Sequence, residues 1–358
     1  MATPHTTRPR VPGHSSSAGP RSGMQAPAPR PPRVRWGRRH KVAALLAVGP
    51  LVALFAVLVG MYLTTGKPLT ALPGINQGKM PHYAFSIYGV AHPIGVAVTA
   101  SGERIYVTES DGARVVRVFN RSGKQIGTLQ PPKSAGGAHV PVYVAIDPLT
   151  QDVYVSDRPS RAIYVYDSQG AYRSSFTPRG NLGGGWAPLG LAFGSDGTLY
   201  VTDVSGPTHR ILAFRRDGTL LRAVGAPGKF LFPNGVAVGP QGALLATDSN
   251  HGRLVAVNDA GDIVWSIGRG GSAGDLGLPR GIAIDDGPRL YVVEATAHEV
   301  KVYSLDGSGA RPPRYAGSFG VEGIANGAFE FPNGVAADTR SRIYVTDREN
   351  NRVQVWSY

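Results

Sequence analysis

The sequence predicts an all-β chain: a closed six-bladed β-propeller that follows one transmembrane α-helix and a disordered basic tail. Three observations predict it: a motif that recurs six times, four strand-like runs per copy, and one long apolar run near the N-terminus. Successive copies begin 45 to 53 residues apart, and a period in this range indicates a repeat architecture. The copies open at Pro93, Pro141, Pro188, Pro233, Pro279 and Pro332.

Each copy contains short apolar runs separated by turn-forming residues. In the second copy they are Val142–Ile146, Val153–Val155 and Ala162–Tyr166, rich in Val, Ile and Tyr, which favour strands. A weaker fourth run follows each of the first five copies. Four strands per repeat at this period fit the blade of a β-propeller. The fourth runs are Gln125–Gln130, Tyr172–Thr177, Leu220–Gly225, Ile263–Gly268 and Arg314–Gly320.

The sixth copy has no room for a fourth strand, because the sequence stops at Tyr358. A run that resembles Arg314–Gly320 precedes the first copy, at residues 82–89. We expect this run to pair into the sixth blade and close the ring, which removes the exposed sheet edges of an open array. The alternative is a loose linker strand.

Residues 1–41 form a basic tail with nine Lys or Arg, no Asp or Glu, and eight prolines. Such a segment buries too little apolar surface to offset the entropy of ordering, so disorder is predicted. The tail supplies nine of the 13 net positive charges of the chain. The propeller is therefore only weakly basic, and its charge gives no reason to expect nucleic acid as a partner.

Residues 42–63 are 22 consecutive uncharged residues, long enough to cross a bilayer of about 30 Å as a helix. A buried core helix and a cleavable signal peptide are the alternatives to a retained anchor. Because the basic residues precede this span, the positive-inside rule predicts a single-pass protein of the cell membrane with a cytoplasmic N-terminus. Residues 64–81 would be a tether, and residues 82–358 the extracytoplasmic propeller. The chain has no cysteine, which excludes disulfides and thiolate metal sites.

The repeat resembles the NHL repeat, on the motifs Pro-x-Gly-Val-Ala, Tyr-Val-Thr-Asp and Asn-x-Arg-Val-x-Val-Phe. The best copy runs from Pro332 to Trp356, where the family usually has Phe at the last position. The resemblance implies a six-bladed propeller over nearly all of residues 82–358. It implies no single function, since this broad group includes lyases, lactonase-like enzymes, sensor domains and binding propellers.

Two features of the repeat are predicted to be structural. Glycine at the second position after the repeat proline, which Tyr143 replaces in the second copy, would let the innermost strands crowd the channel. The acid after the second strand would pair with an arginine four to seven residues later and accept backbone N–H groups. The acids are Glu109, Asp157, Asp203, Asp248, Glu294 and Asp347, and the arginines are Arg114, Arg161, Arg210, Arg253 and Arg352. Glu294 has no such arginine, so it is the acid that the scaffold explains least.

The residue after each repeat proline is expected at the mouth of the channel. These residues are Ile94, Val142, Leu189, Asn234, Arg280 and Asn333. The candidate ligand-binding residues are Arg280, Asn234, Asn333, Tyr143 and Glu294. Arg280 is the one charged member of the six, and it either binds an anionic ligand or pairs with a neighbouring acid such as Glu294.

Two enzymatic alternatives are considered for the same face. The lyases that resemble this fold hold zinc with histidines, but no histidine occupies the six positions. The lactonase-like enzymes hold a divalent cation with carboxylates and an Asn, and Asn234 or Asn333 could supply only the Asn. His209, His251 and His298 follow the second strands of three successive blades at unequal offsets, which argues against a shared metal.

The sequence therefore predicts a membrane-anchored extracytoplasmic binding or scaffold module, with no cofactor, metal or catalytic residue assigned. Its partner would be a protein or a polar or anionic small ligand. The alternative is a lactonase-like hydrolase or amidoglycolate-lyase-like enzyme. In a third interpretation the module is a signalling or envelope-assembly scaffold whose basic tail contacts anionic lipid or a cytoplasmic partner.

Overall fold

The computed structural model describes residues 80–133, 136–307 and 309–358. Within these ranges the chain forms 24 strands in six four-stranded antiparallel sheets, the blades of a propeller. Two short 3-10 helices, Pro240–Gly242 and Ser249–His251, lie in the fourth blade. The all-β six-bladed propeller predicted from the sequence is therefore confirmed.

The blades follow the chain order, each running from the channel outward. Blade 1 contains β2 (Pro93–Val98), β3 (Arg104–Glu109), β4 (Val116–Asn120) and β5 (Gln125–Leu129); blade 2 contains β6 (Pro141–Ile146), β7 (Val153–Asp157), β8 (Ala162–Tyr166) and β9 (Tyr172–Ser175). Blade 3 contains β10 (Pro188–Phe193), β11 (Leu199–Asp203), β12 (Arg210–Phe214) and β13 (Leu220–Val224); blade 4 contains β14 (Pro233–Val238), β15 (Leu244–Asp248), β16 (Arg253–Val257) and β17 (Ile263–Ile267). Blade 5 contains β18 (Pro279–Ile284), β19 (Arg289–Glu294), β20 (Glu299–Ser304) and β21 (Arg314–Phe319); blade 6 contains β22 (Pro332–Ala337), β23 (Arg342–Asp347), β24 (Arg352–Ser357) and β1 (His82–Ile87).

The ring closes through β1, the first strand of the propeller. It pairs antiparallel with β24, from His82 opposite Ser357 to Ile87 opposite Val353. Blade 6 is thus built from both ends of the described chain, and the predicted closure is confirmed. Ile87 is 1 % exposed and packs in a core cluster with residues of blades 1 and 6.

The innermost strands need glycine because the backbone of the next blade lies very close to them. A Cβ on Gly95 would lie 2.5 Å from the carbonyl oxygen of Val142, and one on Gly281 would lie 2.6 Å from that of Asn333. Real Cβ atoms do not approach backbone oxygen this closely, so any larger residue would push the strands apart. The predicted crowding of the channel is confirmed.

In several blades, a hydroxyl group of the second strand donates a hydrogen bond to a backbone carbonyl of the next blade. Thr108 accepts a hydrogen bond from the Gly95 amide (2.7 Å) and donates to the Val142 carbonyl of blade 2 (2.8 Å). Ser156 and Thr346 do the same, and Thr346 donates to Ile94, which joins blade 6 to blade 1. Because buried backbone groups need partners, the Thr of the Tyr-Val-Thr-Asp motif is a structural residue. Blade 5 has Val293 at this position.

The hydrophobic core lies between neighbouring sheets. One cluster joins Leu245 of blade 4 to Leu290 of blade 5, and another joins Val293 of blade 5 to Val345 of blade 6, all fully buried. Burying one such side chain stabilises the fold by about 1.5–3 kcal/mol. Each blade therefore depends on both neighbours.

The predicted tail (1–41), transmembrane helix (42–63) and most of the tether (64–81) lie outside the described residues. In the part that is described, no helix has the length and apolar character needed to span a membrane. Met80, the first described residue, packs against blade 5, where a Cβ on Gly317 would lie 2.9 Å from its sulfur.

Candidate functional site

One face of the propeller carries the loops that enter the innermost strands. The pairing of Pro93 with Glu109, repeated in every blade, places the repeat prolines and the acids at this end of the strands. We call it the mouth face. Its centre is the mouth ring, formed by Ile94, Val142, Leu189, Asn234, Arg280 and Asn333.

The mouth ring has two chemically different halves. Blades 1–3 contribute an apolar half, in which Val142 and Leu189 are buried and Ile94 is packed against them. Blades 4–6 contribute a polar half, Asn234, Arg280 and Asn333. The same backbone position therefore presents hydrocarbon on one side of the channel and hydrogen-bonding groups on the other.

Tyr143 connects the two halves. It replaces the channel glycine in blade 2, and its ring packs with Val142 and Leu189. Its hydroxyl donates to Asn333 Oδ1 (3.1 Å) and lies 3.4 Å from Asn234 Oδ1. The side chain is 8 % exposed, and burial raises the pKa of Tyr143 above its usual value of 10.0, while the nearby Arg280 charge acts in the opposite direction. Tyr143 thus fills the centre of the ring as a neutral phenol.

Asn234 is held in place by a chain of hydrogen bonds. Its Nδ2 donates to Ser249 Oγ (2.8 Å), and the Ser249 hydroxyl donates to the carbonyl of Pro279. Asn234 is 4 % exposed and both ends of its amide are engaged, so its side chain helps to orient Tyr143.

Arg280 is half-buried in the polar half. Its carbonyl accepts from Thr247 (2.5 Å). Its guanidinium makes no hydrogen bond or ion pair with any residue in the described part of the chain. Glu294, the acid considered as its partner, is 2 % exposed and accepts from the amides of Gly277 and Leu278, each at 2.8 Å. Glu294 therefore binds the entering loop of its own blade and does not pair with Arg280.

The six acids hold the loops of the mouth face, and Glu294, which lacks the arginine, binds its loop in the same way as the other five. Each carboxylate is almost fully buried and accepts a backbone N–H from the loop that enters the innermost strand of its own blade, which fixes the mouth-face loops. The donor–acceptor pairs are Ala91–Glu109 (3.1 Å), Val140–Asp157 (2.9 Å), Ala187–Asp203 (2.8 Å), Leu231–Asp248 (2.7 Å), Leu278–Glu294 (2.8 Å) and Glu330–Asp347 (2.7 Å).

Three of the five predicted arginine partners are confirmed. Arg210, Arg253 and Arg352 lie opposite their acids in the strand register and donate to them at 2.7–2.9 Å.

The predicted pairs of Arg114 and Arg161 are wrong. Both arginines occupy left-handed turn positions, with φ of 52° and 51°, one residue before the strand position that faces the acid. Glu109 pairs instead with Arg117 (3.0 Å), and Asp157 accepts from the Ser160 hydroxyl (2.6 Å).

The three histidines of successive blades serve separate contacts. Nδ1 of His209 accepts from the Phe232 amide (2.8 Å), and Nδ1 of His298 accepts from the Phe331 amide (3.2 Å). His251 lies 2.7 Å from Asp248. Among the described residues, no three His, Cys, Asp or Glu side chains are grouped so that they could hold a metal ion.

Two aromatic residues on the rim were missed by the sequence reasoning. Phe232 and Phe331 precede repeat prolines and have positive φ, 57° and 47°. Phe232 packs on the apolar half beneath the Arg158 guanidinium (5.9 Å). Phe331 is 45 % exposed and lies 4.7 Å from the His298 ring, beside the polar half. The available signal was an aromatic residue directly before proline in two repeats.

Comparison with known proteins supports the repeat assignment. The model of the NHL repeat matches residues 230–257 and 329–356, which cover the inner three strands of blades 4 and 6. NHL repeat-containing protein 3 of Mus musculus is 28 % identical over 178 residues, 45 % of this chain and 49 % of the mouse protein. The aligned part thus spans about half the length of that relative.

Solved structures share the fold. A streptogramin B lyase superposes with a TM-score of 0.54 at 16 % identity, over 78 % of this chain and 98 % of the lyase. A catalytically inactive virginiamycin B lyase of Staphylococcus aureus with quinupristin superposes with a TM-score of 0.52 at 18 % identity, over 76 % of this chain and 98 % of the lyase. A Bacteroides thetaiotaomicron protein of unknown function superposes with a TM-score of 0.57 at 15 % identity, over 78 % of this chain and 72 % of that protein. At these identities the likeness concerns the fold alone.

Proposed function

We propose that the chain is a membrane-anchored extracytoplasmic binding module whose mouth ring holds an anionic group of its ligand. The observation that carries the proposal is the Arg280 guanidinium, which is half-buried and has no ion-pair partner within the described residues. The NHL propeller fold supports a binding or scaffold module in general.

The groups beside Arg280 suit an anion. Oδ1 of Asn333 accepts from Tyr143, so the Nδ2 donor is the part of this amide left for a ligand. A guanidinium carries five N–H donors and no acceptor, and its planar fork matches a carboxylate or phosphate. The low-dielectric surroundings of buried Tyr143 and Leu189 reduce the screening of the Arg280 charge. The polar half therefore offers donors and positive charge.

The proposed ligand contact is tested with small anions. Succinate and inorganic phosphate would be titrated calorimetrically into the purified 358-residue chain and into Arg280→Ala. Loss of a hydrogen bond to a charged group should weaken binding by about 1.5–3 kcal/mol, roughly 10- to 150-fold. Arg280→Lys should keep part of the affinity, since it keeps the charge and loses the fork.

The matched control is Arg215→Ala, an exposed arginine that follows β12 at the opposite end of the strand from the mouth face. It removes the same charge and should leave anion affinity unchanged. Equal affinity of the parent chain and Arg280→Ala would refute the proposed contact.

The anchor is part of the proposal and is carried by the sequence: 22 uncharged residues at 42–63 follow nine basic ones. Protease added to intact cells stripped of their wall should digest the propeller and spare the tail. Digestion of the tail alone would overturn this orientation.

The enzymatic alternative is a lactonase-like hydrolase or an amidoglycolate-lyase-like enzyme. It is compatible with the fold that the chain shares with the streptogramin B lyase. Metal analysis of the purified chain separates the two functions. The enzyme would be favoured if the parent chain contains a stoichiometric divalent metal and the Asn234→Ala and Asn333→Ala variants do not, because hard cations bind amide and carboxylate oxygens.

A further inference from the structure

Exposed apolar side chains collect at one corner of the mouth face. Among the described residues, the two most exposed large hydrophobic side chains are Ile324 (78 %) and Val321 (65 %), both in the loop between blades 5 and 6. Tyr88 (60 %) follows β1 of blade 6, and Phe331 (45 %) precedes β22. We call Tyr88, Val321, Ile324 and Phe331 the blade-6 patch. A group of exposed apolar side chains of this kind is typical of an interaction site.

The loop that carries the patch is held in a fixed shape. The Phe329 amide donates to the Val321 carbonyl (2.7 Å), and the Gly323 amide donates to the Phe329 carbonyl (3.0 Å). Asn350 Nδ2 donates to Gly323 O (2.9 Å). Phe329 itself is fully buried. A preorganised surface loses little conformational entropy when a partner binds.

Arg352 ties the two sides of the patch together. Its Nη2 donates to the carbonyls of Ala325 and Ala328, each at 2.8 Å. Tyr88 follows Ile87, which pairs with Val353 next to Arg352. Tyr88 and the loop that holds Val321 and Ile324 are therefore neighbours on the mouth face.

The surroundings of the patch are acidic. Glu322 is exposed within the loop, and Glu330 is half-buried next to Phe331. Neither carboxylate has an ion-pair partner in the described part of the chain. Glu349 adds a third carboxylate, which lies beside both Arg348 and His92. This charge disfavours an anionic lipid surface, which attracts basic protein segments and repels acidic ones.

We propose that the blade-6 patch is a docking surface for a segment of a protein partner that combines apolar residues with Lys or Arg. Apolar side chains of the partner cover Ile324, Val321 and Phe331, and its basic residues meet Glu322 and Glu330. The proposal rests on the proposed function in one respect, that the mouth face is the binding face. It does not require that Arg280 binds an anion.

The test selects binders from a phage-displayed library of random peptides on the immobilised 358-residue chain. Enriched peptides are synthesised, and their affinities are measured by fluorescence anisotropy. They should combine apolar and basic residues. Ile324→Asp should weaken binding more than tenfold. The double variant Glu322→Lys with Glu330→Lys, made in the parent chain, should also weaken binding and should reduce its salt dependence.

The matched controls change similar residues away from the mouth face. Ile126→Asp replaces an isoleucine that is 50 % exposed on outer strand β5, and Asp259→Lys reverses a fully exposed acid in blade 4. Both should bind the selected peptides as the parent chain does. Melting curves check that Ile324→Asp is folded, as expected for so exposed a side chain.

The proposal is overturned if the selected peptides bind Ile324→Asp as tightly as the parent chain. It is also overturned if selection on the parent chain enriches no peptide sequence beyond those enriched by the same selection on Ile324→Asp. Succinate titrations on the same variants keep the two proposals apart. Ile324→Asp should leave succinate affinity unchanged, whereas failure of the anion site would appear as equal succinate binding by the parent chain and Arg280→Ala.

Discussion

The apolar and polar halves of the mouth ring stand on the same scaffold. In both halves, an acid at the end of the second strand accepts the amide of the entering loop, as Asp157 does in blade 2 and Asp347 in blade 6. In both, a hydroxyl joins neighbouring blades, through Ser156 and Thr346. The halves differ at the residue after the repeat proline, Val142 against Asn333. The scaffold contacts are therefore common to both halves, whereas the residue after the repeat proline differs between them.

The largest effect is expected where the halves meet at the seam between blades 6 and 1. A chain that begins at Gly95 lacks β1 and the Pro93 turn, which exposes the edge of β24 and the buried Ile87 site. It should aggregate or melt more than about 10 °C below a chain that begins at Gly78, a loss of several kcal/mol for a domain of this size. Equal melting temperatures would show that blade 6 does not need its fourth strand.

The other junction of the halves, between blades 3 and 4, is tested by Gly190→Ala. The added Cβ would collide with the Asn234 carbonyl oxygen, so the two innermost strands must separate. Overpacking of this kind costs about 1–3 kcal/mol, measured by chemical unfolding. Gly127→Ala in outer strand β5 is the control, because the nearest atom, Val118 Cβ, would lie at an ordinary 3.7 Å. Equal losses in the two variants would contradict the crowding argument.

The smallest of these effects is expected for Tyr143→Phe, which breaks the bridge between the halves. Removing the hydroxyl leaves Asn333 Oδ1 without its donor and should cost about 1 kcal/mol at neutral pH.

The same variant has a pH signature. Burial raises the pKa of Tyr143 in the folded state, so its contribution is complete below the unfolded pKa of about 10 and is lost as pH rises through the folded value. Above pH 10 the parent chain should therefore lose stability more steeply than Tyr143→Phe, by up to about 1.4 kcal/mol per pH unit. Parallel stability curves above pH 10 would indicate that Tyr143 ionises freely.

Much of the fold could be predicted because it depends on local pattern. The period of the prolines, the alternation of strands and turns, and the likeness of residues 82–89 to Arg314–Gly320 predicted the blades and the closure. The crowding glycines were predictable because few other residues tolerate such an approach. The anchor at 42–63 stays a prediction.

The errors and omissions came from features that sequence spacing does not determine. Arg114 and Arg161 occur at the expected interval from their acids, but each occupies a left-handed turn position one residue before the strand position that faces the acid. Tyr143 was predicted at the mouth, but its hydrogen bonds to blades 4 and 6 depend on the width of the closed ring. The site assignments of Arg280, Asn234, Asn333, Tyr143 and Glu294 as ligand-binding residues remain predictions.

The central claim is that the residue after the proline serves the site and that the acid–arginine pairs serve the scaffold. Chemical unfolding of Arg280→Ala beside Arg352→Ala tests it most directly. Arg352 is 4 % exposed and pairs with fully buried Asp347, so its loss leaves a buried charge and should cost about 3–5 kcal/mol. Arg280→Ala should change the free energy of unfolding by less than about 0.5 kcal/mol. A loss for Arg280→Ala as large as that for Arg352→Ala would contradict the claim.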